Sequence, residues 1–115
     1  MKILVIDDEM LDLFLAKKFL EAEFQVEGFT TKEEAVQWAK NNSFDVLLSD
    51  YYLSSGVHAH DVLKALLDLK GKTFKSFVVT NYVDSEKVNQ LKQAGFNGVI
   101  DKPLDLKKVK KALEL

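Results

Sequence analysis

Cysteine is missing from the chain, and proline occurs once, at Pro103. Without cysteine there is no disulfide framework, no thiol nucleophile and no cysteine-ligated zinc site. No apolar run approaches the length of a membrane span. The run at the amino terminus, Ile3-Leu4-Val5-Ile6, is too short for a signal peptide and stops at acids. Positive charge is not in excess either. The formal net charge is −2, so no global basic field exists to hold nucleic acid. These absences make a reduced, cytoplasmic protein the expectation, with neither membrane nor nucleic acid as a partner.

What is present suits one domain. The 115 residues are 47% hydrophobic and 30% charged, enough for a single core under an ordinary polar surface. The stretch Phe44-Asp45-Val46-Leu47-Leu48-Ser49-Asp50 is short and apolar between two acids, the pattern of a strand buried on both faces. Ile3–Ile6 is a β-branched run of the same kind. Phe24–Phe29 alternates, Thr73–Thr80 is strand-like, and Gly98-Val99-Ile100 makes a short last strand.

Helical patterns separate these runs. From Glu9 to Glu21, Leu11, Leu15, Ala16, Phe19 and Leu20 share one face, the expected core stripe, while Met10, Leu13 and Phe14 fall on a second. Thr30 with Glu33 and Thr31 with Glu34 are overlapping capping boxes for a helix carrying Ala35, Val36, Trp38 and Ala39. After a loop from Tyr51 to His58, Val62, Leu63, Leu66 and Leu67 define a third helix, with Gly71 its C-cap candidate. Asp84 caps a fourth bearing Val88, Leu91 and Ala94. The fifth follows Pro103 and carries Leu106, Val109, Ala112 and Leu113, with Lys107, Lys108, Lys110 and Lys111 outside. Strands alternating with helices predict an α/β fold, a doubly wound five-stranded parallel sheet. Right-handed crossovers bring the carboxyl ends of all strands to one edge, where such sheets place their chemistry.

The residues ending each strand are therefore informative. They are Asp7-Asp8, Asp50, Thr80 and Asp101-Lys102-Pro103. Asp7, Asp8 and Asp50 with Lys102 leave a pocket formally −2, attractive to a divalent cation. Hard oxygen ligands, few in number, favour Mg2+ over a transition metal. An aspartate beside such an ion is a nucleophile toward phosphorus, and a lysine neutralises the equatorial oxygens. A threonine hydroxyl then hydrogen-bonds the bound group.

The motifs Ile3–Glu9, Asp45–Asp50, Val78–Thr80 and Asp101-Lys102-Pro103 resemble those of response-regulator receiver domains, the CheY-like family of two-component signalling, along the whole chain. The resemblance implies the flavodoxin-like strand order 2-1-3-4-5, a receiver domain over residues 1–115, and no output domain in the chain. It implies Asp50 as phospho-acceptor, with Thr80 as switch hydroxyl and Lys102 as phosphoryl partner. Mg2+ would be held by Asp8 directly, by Asp7 through water, by Asp50 and by the backbone carbonyl of Tyr52. The donor would be a histidine kinase or histidine phosphotransfer protein. No outside substrate is turned over; the chemistry is the chain's own phosphorylation and dephosphorylation. Homodimerisation through helix 4, strand 5 and helix 5 is the family's usual mode. Met10, Leu13 and Phe14 form an apolar patch expected to dock the phosphodonor.

Departures from the family pattern are specific. Val99 stands where an aromatic residue usually partners the threonine, leaving Tyr82 or Phe96 as substitutes. Asn81 replaces a small residue and crowds the phosphoryl position. Ser54 replaces a proline in a loop one residue longer than usual, and Ala59 lies near the place of a common glycine. These features support an alternative: a receiver-like interaction module that works without phosphorylation. An aspartate-based phosphatase would want an acid at Tyr52. A flavin site would be repelled by Asp7-Asp8-Glu9. Asp7 and Asp8 also suit a helix N-terminus, His58 and His60 lack a third metal ligand, and the lysines of the last helix read as a solvated face.

Overall fold

A computed structural model describes residues 1–54 and 56–115; within the loop before the third helix, Ser55 lies outside the described residues. Five strands and five helices alternate: β1 (Lys2–Ile6), α1 (Met10–Leu20), β2 (Gln25–Phe29), α2 (Lys32–Ala39), β3 (Val46–Asp50), α3 (Ala59–Lys70), β4 (Lys75–Thr80), α4 (Ser85–Gln93), β5 (Gly98–Asp101) and α5 (Leu106–Ala112). The strands form one parallel sheet in the order β2-β1-β3-β4-β5.

Consecutive side chains of a strand point to opposite faces, and each face here has its own apolar layer. Leu4, Ile6, Leu47 and Val78 pack with Ala35, Ala39, Val62, Leu63, Leu66 and Leu91 of α2, α3 and α4. Ile3, Val5, Val46, Leu48 and Val79 pack on the other face with Leu13, Ala16 and Leu20 of α1 and Val109 of α5. Covering both faces is why β1 and β3 read as unbroken apolar runs.

The helix starts follow their caps. Thr31 accepts from the Glu34 N–H at 3.2 Å, so the second of the two overlapping boxes is the one used. Asp84 and Asp105 do the same for Lys87 and Lys108, both at 2.7 Å. Gly71 caps α3 with φ +68°, a region costly for any residue with a Cβ.

Two helix faces differ from the sequence pattern. In α1 the buried residues are Leu13, Ala16 and Leu20. Leu11, Leu15 and Phe19 are exposed at 65%, 39% and 47%, beside Met10 and Phe14. Leu13 is thus a core residue and leaves the docking patch, while Leu11, Leu15 and Phe19 leave the core stripe. Gly28 explains the phase: a Cβ there would meet Leu13 Cδ1 at 2.6 Å, so this bare point of β2 receives Leu13. In α4 only Leu91 is buried; Val88 is half-buried and Ala94 exposed.

Candidate functional site

Register alone assembles the site. Ile6 stands beside Ser49, Asp50 beside Val79, and Thr80 beside Asp101. Asp7 therefore lies level with Asp50, Thr80 falls one step further out, and Lys102 two. The backbone holds each in place. Asp7 N–H donates to the Phe29 carbonyl at 3.1 Å, and Lys102 N–H donates to the Thr80 carbonyl at 2.8 Å. The Lys102–Pro103 peptide is cis.

Asp7, Asp8 and Asp50 each offer a carboxylate oxygen within 4.8 Å of the others. Among the described residues, this is the one group of acids and histidines so arranged. Octahedral Mg2+ at 2.0–2.1 Å from its ligands separates their oxygens by about 2.9 to 4.1 Å. Oxygens that bind directly side by side must close to about 2.9 Å, a ligand acting through water need not, and the hard-oxygen chemistry of all three suits the ion.

The electrostatics point the same way. Burial pushes Asp50 up to about 6, with the neighbouring Asp7 charge adding to it and Lys102 opposing. Burial is also the main reason Asp7 is raised. Burial works against the charge on Lys102, yet Asp7 and Asp50 outweigh it and hold the ammonium above its ordinary value. Two carboxylates side by side resist ionising together, and a positive charge beside them relieves this. Lys102 Nζ partly answers, at 3.3 Å from Asp50 Oδ1 and 3.4 Å from Asp7 Oδ2.

Thr80 is buried, its Oγ1 accepting from the Tyr82 N–H at 3.4 Å. Asn81 is exposed and lines, with Asp7, Asp50 and Lys102, a cavity of about 300 Å3. That cavity runs on past Leu15, Phe19 and Leu104 between α1 and the segment before α5. Tyr52, two residues past Asp50, sets its ring edge-on to His58 with centroids 4.9 Å apart.

The candidates for the missing aromatic partner separate cleanly. Phe96 is a core residue. Tyr82 is 67% exposed, and Lys87 Nζ lies between it and Tyr51, 5.3 Å and 4.3 Å from the ring centroids. The same Nζ donates to the Tyr82 carbonyl at 3.0 Å. Val99 is half-buried against the α2–α3–α4 layer. His58 and His60 stack at 5.5 Å beside Asp61, whose carboxylate accepts the His58 N–H at 2.9 Å. This is helix-start geometry.

One pocket residue was not read from the sequence. Asp12 Oδ2 in the first turn of α1 lies 3.4 Å from Lys102 Nζ. It does not end a strand, so scanning strand ends passes over it. The available signal was its place in the first turn of the helix that leaves the same edge just after Asp7-Asp8.

A family model described as response regulator receiver domain matches residues 3–114. Among curated proteins no sequence matches significantly. Solved structures do. A chemotaxis response regulator of Vibrio cholerae is 25% identical, with 98% of this chain and 95% of that one covered and a TM-score of 0.84. A CheY-like response regulator receiver domain protein from Methanospirillum hungatei is 28% identical over 98% of this chain and 93% of that one, TM-score 0.81. A response regulator from Burkholderia pseudomallei, solved with a phosphorylated aspartic acid, calcium ion and citrate, is 24% identical over 97% of this chain and 65% of that one, TM-score 0.85.

Proposed function

The chain belongs to the response regulator receiver domain family, and from that membership we propose that it is a phosphorylation-activated signalling switch with Asp50 as acceptor. The observation that carries this reading is the cluster itself: Asp50 at a strand end, two further carboxylates within 4.8 Å, and Lys102 Nζ on its Oδ1.

The phosphodonor is a histidine kinase or histidine phosphotransfer protein. An Asp50 carboxylate oxygen attacks phosphorus as the phosphorus–nitrogen bond of the phosphohistidine breaks. The electron pair leaves with the imidazole, which takes up a proton. Lys102 brings its ammonium to an equatorial phosphoryl oxygen. The residues that would hold Mg2+ are Asp8 directly, Asp7 through water, Asp50, and the Tyr52 carbonyl. When bound, Mg2+ offsets the negative charge of the acids and of the incoming oxygens. Water returns Asp50 to the free acid by hydrolysing the acyl phosphate.

Thr80 reads the change. Its hydroxyl leaves the Tyr82 N–H and bonds the phosphoryl group, and the β4–α4 segment follows. Val99 provides no aromatic ring to rotate behind it. Tyr82 and its Lys87 tie to Tyr51 are the readout, the α4–β5–α5 face is the output or dimer surface, and Met10 and Phe14 belong to the donor-docking face. The features favouring a module that works without phosphorylation are that same Val99, already packed, with Asn81 and the altered loop after Asp50.

Treatment with acetyl phosphate and Mg2+ followed by borohydride tests the assignment, because reduction of an aspartyl phosphate leaves homoserine. Peptide mapping is expected to find homoserine at position 50. Homoserine at another aspartate would move the acceptor, and none anywhere would favour the phosphorylation-independent module. Asn81→Ala is expected to change the autodephosphorylation rate, since Asn81 lines the pocket where the phosphoryl group would sit; an unchanged rate removes that role.

A further inference from the structure

Lys102 is shared by three carboxylates, and only two of them belong to the strand ends. Asp50 is at 3.3 Å, Asp7 at 3.4 Å and Asp12, from α1, at 3.4 Å. The ammonium donates hydrogen bonds to Asp7 and Asp12 and forms an ion pair with Asp50. An acid in the first turn of a helix is ordinary by itself. This one also reaches across to the residue after β5, and its side chain is 44% exposed where Asp7 and Asp50 are 10% and 15%. Asp8 joins this group through its closeness to Asp7 and Asp50.

We propose that Asp12 is a positioning residue for Lys102, which favours the metal-loaded pocket and opposes the phosphorylated one. The role rests on the phosphoryl-accepting function above. Lys102 cannot keep all three partners once a divalent cation is held among Asp7, Asp8 and Asp50. Asp12 is the carboxylate it keeps, so the displaced ammonium still has a partner and the cation meets less repulsion. The phosphoryl group reverses the preference. Lys102 must then leave Asp12 for a phosphoryl oxygen, and the bare Asp12 carboxylate adds negative charge beside a new anion. The two ligands therefore feel Asp12 with opposite sign. A residue that merely helped α1 to fold would move both the same way.

The test uses the whole chain and two titrations at low ionic strength. Mg2+ is titrated first, followed by the amide shifts of Asp8 and Tyr51. Beryllium fluoride, a phosphoryl analogue, is titrated next at saturating Mg2+. In Asp12→Asn, Mg2+ affinity is expected to fall and beryllium fluoride affinity to rise, each by about threefold to tenfold, as one unit charge near a half-open pocket predicts. Salt near 1 M shrinks both changes, and Asp12→Glu restores both affinities toward wild type. Both affinities unchanged, or both shifted in one direction, would overturn the role while leaving the phosphoryl reading intact. Wild-type protein that binds neither ligand would remove that reading and this role with it.

Discussion

The Asp50 carboxylate is held in a form it resists. Burial, then the Asp7 charge, raise its proton affinity to about 6, against an ordinary value of 3.8. The folded protein thus binds a proton between about pH 4 and 6 that the unfolded chain has lost. Stability from this group falls as pH rises through that window and stays lost above it. At about 1.4 kcal/mol for each pH unit, Asp50→Asn is expected to stabilise the metal-free fold at pH 7 by on the order of 3 kcal/mol. Near pH 3, where both forms are protonated, the gain vanishes. Urea unfolding at the two pH values checks this, and equal gains at both would show that ionisation is not the cause. Asp7, Asp8, Asp50, Thr80 and Lys102 were legible in the sequence because each ends or follows a strand, and the sheet makes strand ends converge. Asp12 was not, because a helix turn and not a strand delivers it.

Among the elements, α1 separates core from surface least clearly in its sequence. Met10, Leu11, Leu13, Phe14, Leu15, Ala16, Phe19 and Leu20 surround its axis, so apolar periodicity does not choose a phase. The choice comes from its neighbour: Gly28 leaves space on β2 that Leu13 fills. Leu13→Ala is therefore expected to cost about 2–4 kcal/mol. Phe14, 57% exposed, is expected to tolerate Phe14→Lys within about 0.5 kcal/mol. Denaturant melts of the two variants compare them, and similar losses would reverse the assigned faces. Phe14→Lys is also expected to slow transfer from a protein donor while sparing acetyl phosphate; slowing of both would separate this face from docking. The opposite weakness lies in α4, whose apolar pattern holds Val88, Leu91 and Ala94 but buries only Leu91. An element with one deep anchor opens at low cost, which suits the shift proposed for the β4–α4 segment.

For the whole molecule, the fold class was legible because both faces of the sheet are covered. Strands buried on two sides give unbroken apolar runs, and these alternate with amphipathic segments. The strand order came through the family resemblance, since burial patterns alone do not order strands. The structure gives β2-β1-β3-β4-β5 as that resemblance implies. The same closure at one edge links metal to global stability. A cation that binds only where Asp7, Asp8 and Asp50 meet stabilises the folded state by mass action, about 1.4 kcal/mol at ten times its dissociation constant. Mg2+ is therefore expected to raise the melting temperature by about 5 °C. Asp8→Asn is expected to lose most of that rise, and an equal rise in the variant would place the ion elsewhere.

Intact mass after incubation with acetyl phosphate addresses the acceptor chemistry itself. With Mg2+ the wild-type chain is predicted to gain one phosphoryl group. It is predicted to gain none without metal, and Asp50→Asn to gain none under either condition. No adduct on the wild-type chain, together with no response to beryllium fluoride, would contradict phosphorylation at Asp50 and leave a receiver fold that signals through contacts alone.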